Sequence, residues 1–327
     1  MKEEDMTLKK SLKTLVTLGA AALLLTACSQ TGTKESSKDL PKVGILQYVE
    51  HESLTAARKG FEKGLAAEGY EDGKDITIAY ENAQGDQSNL QSISEKLIKG
   101  NDVVLGIATP AAQALVAATS DTPILFTAVT DPVSAKLVKS MKEPGGMATG
   151  TSDMSPIDKQ VDLVQKVLPK AKTVGIMYTT SERNSEVQVE EAQALFKKAG
   201  IKVVTKGISS TNDVQDTAKA LMKDVDVVFV PTDNTIASAI TLLSDLSKET
   251  KVPVVGGSAD MVAGGVLFSY GPDYEKLGEQ TAKLAVEVLK GKKASSIAAE
   301  YPETLDVVVN KDMAKALDID VSSIEEN

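Results

Sequence analysis

From residue 42 onward the chain alternates short apolar runs with longer stretches in which apolar residues return every three or four positions. The first run, Lys42-Val43-Gly44-Ile45-Leu46-Gln47-Tyr48, is matched later by Thr173-Val174-Gly175-Ile176-Met177-Tyr178-Thr179; both are β-branched and end in a polar, aromatic-bearing segment. Helical spacing follows each, over 54–69 and 186–200, and a glycine closes both. The order then repeats. It predicts strands at 76–80 and 202–205, helices at 86–99 and 212–222, and apolar strands at 102–108 and 226–230. Helices at 109–118 and 234–249 and strands at 123–127 and 253–257 complete the two halves. An amphipathic helix over 270–291 and a strand over 305–309 come after them.

Strands that alternate with helices of this length call for parallel sheets with right-handed crossovers, so the pattern predicts an α/β fold of two doubly wound parallel-sheet lobes. The helix over 270–291 is expected to cross back to the first lobe and the strand after it to return to the second, which makes a three-segment hinge. The predicted lobes are 41–150 plus 271–298 and 151–270 plus 299–327. Ligands of open parallel sheets sit outside the carboxyl ends of the strands, so the loops there are where function is sought.

Ahead of the folded region, Lys9 and Lys10 precede, and Lys13 opens, a largely apolar run over 12–25 that is too short and too rich in Ala and Gly to span a bilayer. Leu25-Thr26-Ala27-Cys28 closes it, and Cys28 is the one cysteine in 327 residues. This resembles the bacterial lipoprotein signal, which implies cleavage after residue 27 and lipid on Cys28. Residues 28–40 read as a flexible tether, since 29–39 are polar and hold no apolar side chain to bury. Glu3, Glu4 and Asp5 suit a leader poorly, which makes Met6 an alternative start to Met1.

The leader carries four lysines against three acids, so its removal leaves 300 residues with a net charge of −11. With no basic stripe, nucleic acid is excluded as a partner. One histidine and no thiol past Cys28 cannot assemble a zinc site, and no cofactor or metal is expected. No nucleophile, general base or glycine-rich phosphate loop stands out either, which points away from an enzyme.

The motifs Gly44-Ile45-Leu46-Gln47 with His51, Asn82-Ala83-Gln84-Gly85-Asp86 and Ala108-Thr109-Pro110-Ala111-Ala112-Gln113 stand at or beside strand ends of the first half. Val129-Thr130-Asp131-Pro132, Ser181-Glu182-Arg183-Asn184-Ser185 and Pro231-Thr232-Asp233-Asn234 follow the same rule. Together they closely resemble the ABC-transporter substrate-binding lipoproteins of the type I periplasmic-binding-protein fold, in the branch associated with tryptophan and tyrosine uptake, from Val43 to about Leu317. Arg183 stands where that pattern more commonly has alanine. The resemblance implies a monomer, lipid-anchored on the outer face of the cytoplasmic membrane, that captures a small solute by lobe closure and delivers it to a permease driven by a separate ATPase. Tryptophan is the expected ligand. Tyrosine, a phenol in place of the indole, is separated from it by whether its hydroxyl finds a partner; a nucleoside or other solute is the alternative ligand, and a membrane sensor is the alternative partner.

Thr109 and Pro110 open a helix at a strand end, where the amides and dipole attract a carboxylate; equally, Thr109 serves as that helix's own cap. Thr127, Thr130 and Asp131 follow the next strand and would add donors. Asp233 holds in the second half the place of Thr109 in the first, so it either meets a ligand ammonium or caps the helix from Asn234. Asp260 is a second acid of the same kind, or a solvated loop residue. Ser181 and Asn184 either grip a polar ligand edge or bond local backbone. Gln47, Tyr48 and Tyr178 bring an amide and two aromatic faces to the cleft, or line the hinge; His51 reads as a structural residue at a helix start. Twelve aromatic residues in all make these placements informative about a flat apolar ligand.

Overall fold

The computed structural model describes residues 39–324, so the leader, most of the tether and Cys28 lie outside the described residues. The first sheet is built from β1 (Lys42–Gln47), β2 (Thr77–Asn82), β3 (Val103–Ile107), β4 (Ile124–Val129) and β5 (Ala148–Ser152), with α1 (Glu52–Ala67), α2 (Gln87–Gly100) and α3 (Thr109–Ala118) in the crossovers. All its pairs are parallel, in the order β2-β1-β3-β4-β5. Central strands β3 and β4 are buried throughout, as strands covered on both faces must be, while edge strand β2 is largely open to solvent.

The second lobe holds α4 (Ile157–Val167), β6 (Thr173–Thr179), α5 (Arg183–Lys198), β7 (Lys202–Ile208), α6 (Val214–Leu221) and β8 (Val227–Val230). It continues through α7 (Asn234–Ala237), α8 (Ile240–Thr250), β9 (Val254–Gly256), α9 (Ala259–Ala263) and β10 (Phe268–Gly271). After α10 (Tyr274–Leu289) come β11 (Asp306–Val309) and α11 (Lys311–Leu317). Its sheet order is β11-β10-β9-β8-β6-β7, parallel except for β11, which pairs antiparallel with β10 at the edge. Alternate residues of β8 face opposite ways. Val227 and Phe229 join the core under α4 and α5, where Phe196 meets Phe229 edge-on at 5.8 Å, whereas Val228 and Val230 join the core under α6 and α8.

α10 leaves the second sheet and packs along α1, contributing to the core of the first lobe. Two glycines make that approach possible. A Cβ on Gly60 would lie 1.9 Å from the Glu275 carbonyl oxygen, and one on Gly278 would lie 2.0 Å from the Ala57 carbonyl oxygen, so each helix presents bare backbone to the other.

The structure departs from the expected elements in four places. The helix expected over 234–249 is two helices, broken at Ser238 and Ala239. Tyr270 belongs to β10 and not to the following helix, because it pairs with Val307 of β11 and α10 starts only where the Asp273 carboxylate caps it. β5 and α4 come between the halves, where the small polar run Ala-Thr-Gly-Thr-Ser gave no apolar signal. α9, β10 and α11 were likewise unexpected.

Candidate functional site

In both sheets the chain reverses its winding beside the first strand, between β1 and β3 and between β6 and β8, and such switch points are where open α/β sheets hold ligands. On the first lobe the loop after β3 is strained: Ala108 has φ 80° and ψ 154°, a region that ordinarily only glycine enters. Ala108 is therefore the N-cap of α3, and Thr109 is its first helical residue, with Pro110 beside it. The hydroxyl of Thr109 does not cap the helix; Thr109 Oγ1 is buried without a hydrogen-bond partner among the described residues.

Thr130, after β4, likewise has a buried Oγ1 with no partner that meets hydrogen-bond geometry. Ala128 beside it has φ 55°. Thr127 and Asp131 are engaged elsewhere. Thr127 Oγ1 bonds Thr151 Oγ1 at 3.0 Å, which in turn reaches Thr281 of α10, so Thr127 belongs to a buried hydroxyl ladder. Asp131 Oδ1 accepts the Val133 and Ser134 amides at 3.0 and 2.9 Å and shapes a turn. Gln47 is fully buried, donating to the Val49 carbonyl at 2.9 Å, and holds the loop after β1.

The second lobe presents two buried carboxylates, Glu182 and Asp233. Asp233 N-caps α7 through the Ile236 amide and also accepts Thr179 N, Thr179 Oγ1 and Ser185 Oγ at 2.6–2.8 Å. Glu182 accepts Asn184 Nδ2, both the amide and side chain of Asn234, and both the amide and hydroxyl of Thr235. None of these donors is cationic. Burial first, and the Glu182 charge second, push the Asp233 carboxyl up to about 7. Asn184 Oδ1 is left without a partner beside them. Ser181 is exposed and Glu182 occupies the inward place, while Tyr178 packs against the lobe's own core. Glu182 stood in the right loop in sequence, but a glutamate at a helix start carries no signal separating it from a solvated one.

The lobes meet across these loops. His51 Nε2 lies 3.3 Å from Asn234 Oδ1. Because the Asn234 amide group donates to Glu182 at 2.6 Å, its oxygen faces the imidazole and His51 Nε2–H is the donor. Burial holds this imidazole down at about 4. Tyr48 is buried near Thr235, its phenol pushed up to about 12 by burial and then by Glu182. Arg183 Nε donates to Ser134 Oγ at 2.9 Å. Asp260, at the start of α9, has a buried Oδ2 without a partner and a carboxyl raised by burial to about 6.

The model of the ABC transporter substrate binding protein family matches residues 42–325. The chain belongs to that family. The substrate-binding protein shares 42% identity over 320 residues with a tyrosine-binding protein of Clostridioides difficile, covering 95% of this chain and 93% of the relative. A Streptococcus structure in complex with L-Trp is 42% identical and superposes with a TM-score of 0.84 over 86% of this chain and 96% of that one. A ligand-free, open substrate-binding protein with adhesive properties from Clostridium difficile is 43% identical, with a TM-score of 0.67 over 88% of this chain and 97% of that one. At nearly equal identity, the substrate-binding protein fits the L-Trp complex better than the open chain. Its fold is that of the type I periplasmic binding proteins, and the family works outside the cytoplasm. Among the described residues no helix is long and apolar enough to cross a membrane.

Proposed function

We propose that the protein captures an aromatic α-amino acid, tryptophan first and tyrosine second, between its lobes and passes it to a membrane permease driven by a separate ATPase, without chemistry on the ligand. One observation carries this reading: Thr109 Oγ1 on one lobe and Asn184 Oδ1 on the other are buried polar atoms without hydrogen-bond partners among the described residues, at the strand ends where open α/β sheets hold ligands, and Thr130 Oγ1, next to the Asp153 carboxylate, has no partner of full hydrogen-bond geometry among them. The hydroxyls and the α3 amides suit a carboxylate. Glu182 and Asp233, buried and without a cationic donor, supply the negative pole for an ammonium, acting through charge because their lone pairs already accept amides and hydroxyls. Asn234 adjoins that pole, Asp260 stands as a further acid facing Ser53 of the first lobe, and Tyr48 offers the aromatic wall. The relatives named for tyrosine and solved with L-Trp support the ligand class.

The lobe boundaries near residues 150, 270 and 298 form part of the proposal, supported by β5 ending the first sheet at Ser152, β10 ending at Gly271 and α10 packing on α1. So does a lipid anchor at Cys28 that leaves a monomer on the outer face of the cytoplasmic membrane, with residues 1–27 removed.

The protein contains no tryptophan, so the change in L-Trp emission on binding is read without tryptophan emission from the protein. Titration should show saturable binding of tryptophan, displaced by tyrosine and not by nucleosides. Displacement by nucleosides alone would sink the ligand class.

A further inference from the structure

Among the contacts that cross between the lobes, two hydrogen bonds join different strand ends. His51, after β1, meets Asn234, after β8; Arg183, after β6, meets Ser134, after β4. In the first sheet β3 lies between β1 and β4, so the two contacts flank the α3 N-terminus and Thr109. We infer that His51 and Arg183 form a two-post clamp across the cleft, in which Arg183 sets how long a bound ligand stays. The inference rests on the ligand site proposed above.

Both ends of the Arg183 post are prepared. Glu186 holds one guanidinium nitrogen at 3.2 Å, leaving Nε for Ser134. Ser134 sits in a turn fixed by Asp131, and Gln113 of α3 donates to the next carbonyl, Ala135, at 3.1 Å, so the turn moves with the helix that carries Thr109. The bond therefore reports the position of the proposed carboxylate site relative to the second lobe. At the other post, His51 reaches Glu182 through Asn234 and so ties closure to the acidic pole. Neither contact survives separation of the lobes, so each favours only the closed state, and a contact of that kind slows release without speeding capture.

The test uses the chain carrying Cys28→Ser, with spin labels placed through Gln91→Cys on the first lobe and Lys219→Cys on the second, both exposed. Distance distributions, and association and dissociation rates from L-Trp fluorescence, are compared for the parent, Arg183→Ala, Ser134→Ala, the double variant and Arg183→Lys. Dissociation should quicken three- to tenfold in each alanine variant, no further in the double variant, and less in Arg183→Lys, with association within twofold and a larger open population. Unchanged dissociation, additive effects, or equal changes in both rates overturn the clamp while leaving the ligand reading in place. If neither tryptophan nor tyrosine binds the parent, the ligand reading fails, and the ligand-free distributions decide the clamp: a shift to longer distances in Arg183→Ala supports it and no shift overturns it.

Discussion

Glu182 and Asp233 divide the first three amides of α7 between them: Glu182 takes those of Asn234 and Thr235, and Asp233 takes that of Ile236. Two carboxylates converge on one short helix terminus, and the opposing lobe closes over them through His51 and Tyr48.

An ammonium brought to this pole favours the ionised form of Asp233, whose carboxyl burial holds near 7. Binding should then release protons around pH 7, and affinity should rise from pH 6 to 8. Calorimetry in buffers of differing ionisation heat measures the release. Asp233→Asn should abolish it and weaken binding by about 2 kcal/mol or more. No release at pH 7 in the parent would show that the ligand does not sense Asp233.

Stability should carry the same signature without ligand. Asp233 and Asp260 titrate higher in the folded chain than their ordinary 3.8, so their contribution is full below about pH 4 and is lost as pH rises toward 6 and 7. His51 has the opposite sign: its contribution is present above 6.5 and is lost as pH falls toward 4. Asp153 and Glu191 are raised by burial as well, so four acids against one imidazole leave a net loss from pH 4 to 7. Denaturant unfolding across that range should show a shallower loss in Asp233→Asn than in the parent.

Thr109→Val separates binding from folding. The substitution keeps the shape and removes a buried hydroxyl that has no partner among the described residues, so the ligand-free chain should be unchanged or up to about 1 kcal/mol more stable. Binding should weaken by about 1.5–3 kcal/mol, the usual worth of a hydrogen bond to a charged group. Thermal unfolding and ligand titration on one preparation check both signs, and a destabilised chain with intact affinity would make Thr109 structural.

Gly278→Ala tests how α10 is held to the first lobe. The added methyl would stand 2.0 Å from the Ala57 carbonyl oxygen, so the helices must part, at a cost of about 1–3 kcal/mol by thermal unfolding. The atoms the methyl would meet are backbone atoms of α1, with no flexible end to move aside. An unchanged midpoint would mean that α1 and α10 separate freely.

The two-lobed layout was legible because strands buried on both faces must be continuously apolar, and β1, β3, β4, β6 and β8 are. β5 was not: Ala-Thr-Gly-Thr-Ser is buried by its neighbours, with Thr151 held by Thr127 and Thr281, and nothing in its own composition says so. The loops that carry the candidate site were legible for the same reason as the strands, since a loop's place follows from the strand before it.

What the sequence determined by itself was thus the alternation of elements, the family motifs and the set of loops that could hold a ligand. Which side chains in those loops remain free was decided only by the tertiary structure. Thr109 keeps a free hydroxyl because Ala108 became the cap, Thr127 loses its own to a ladder from β5 and α10, and Asp233 and Glu182 fill their lone pairs with donors 48 to 54 residues away as well as from their own helix starts. Periodicity records which face of an element is buried; it carries no account of hydrogen-bonding capacity, which is settled only when distant segments meet.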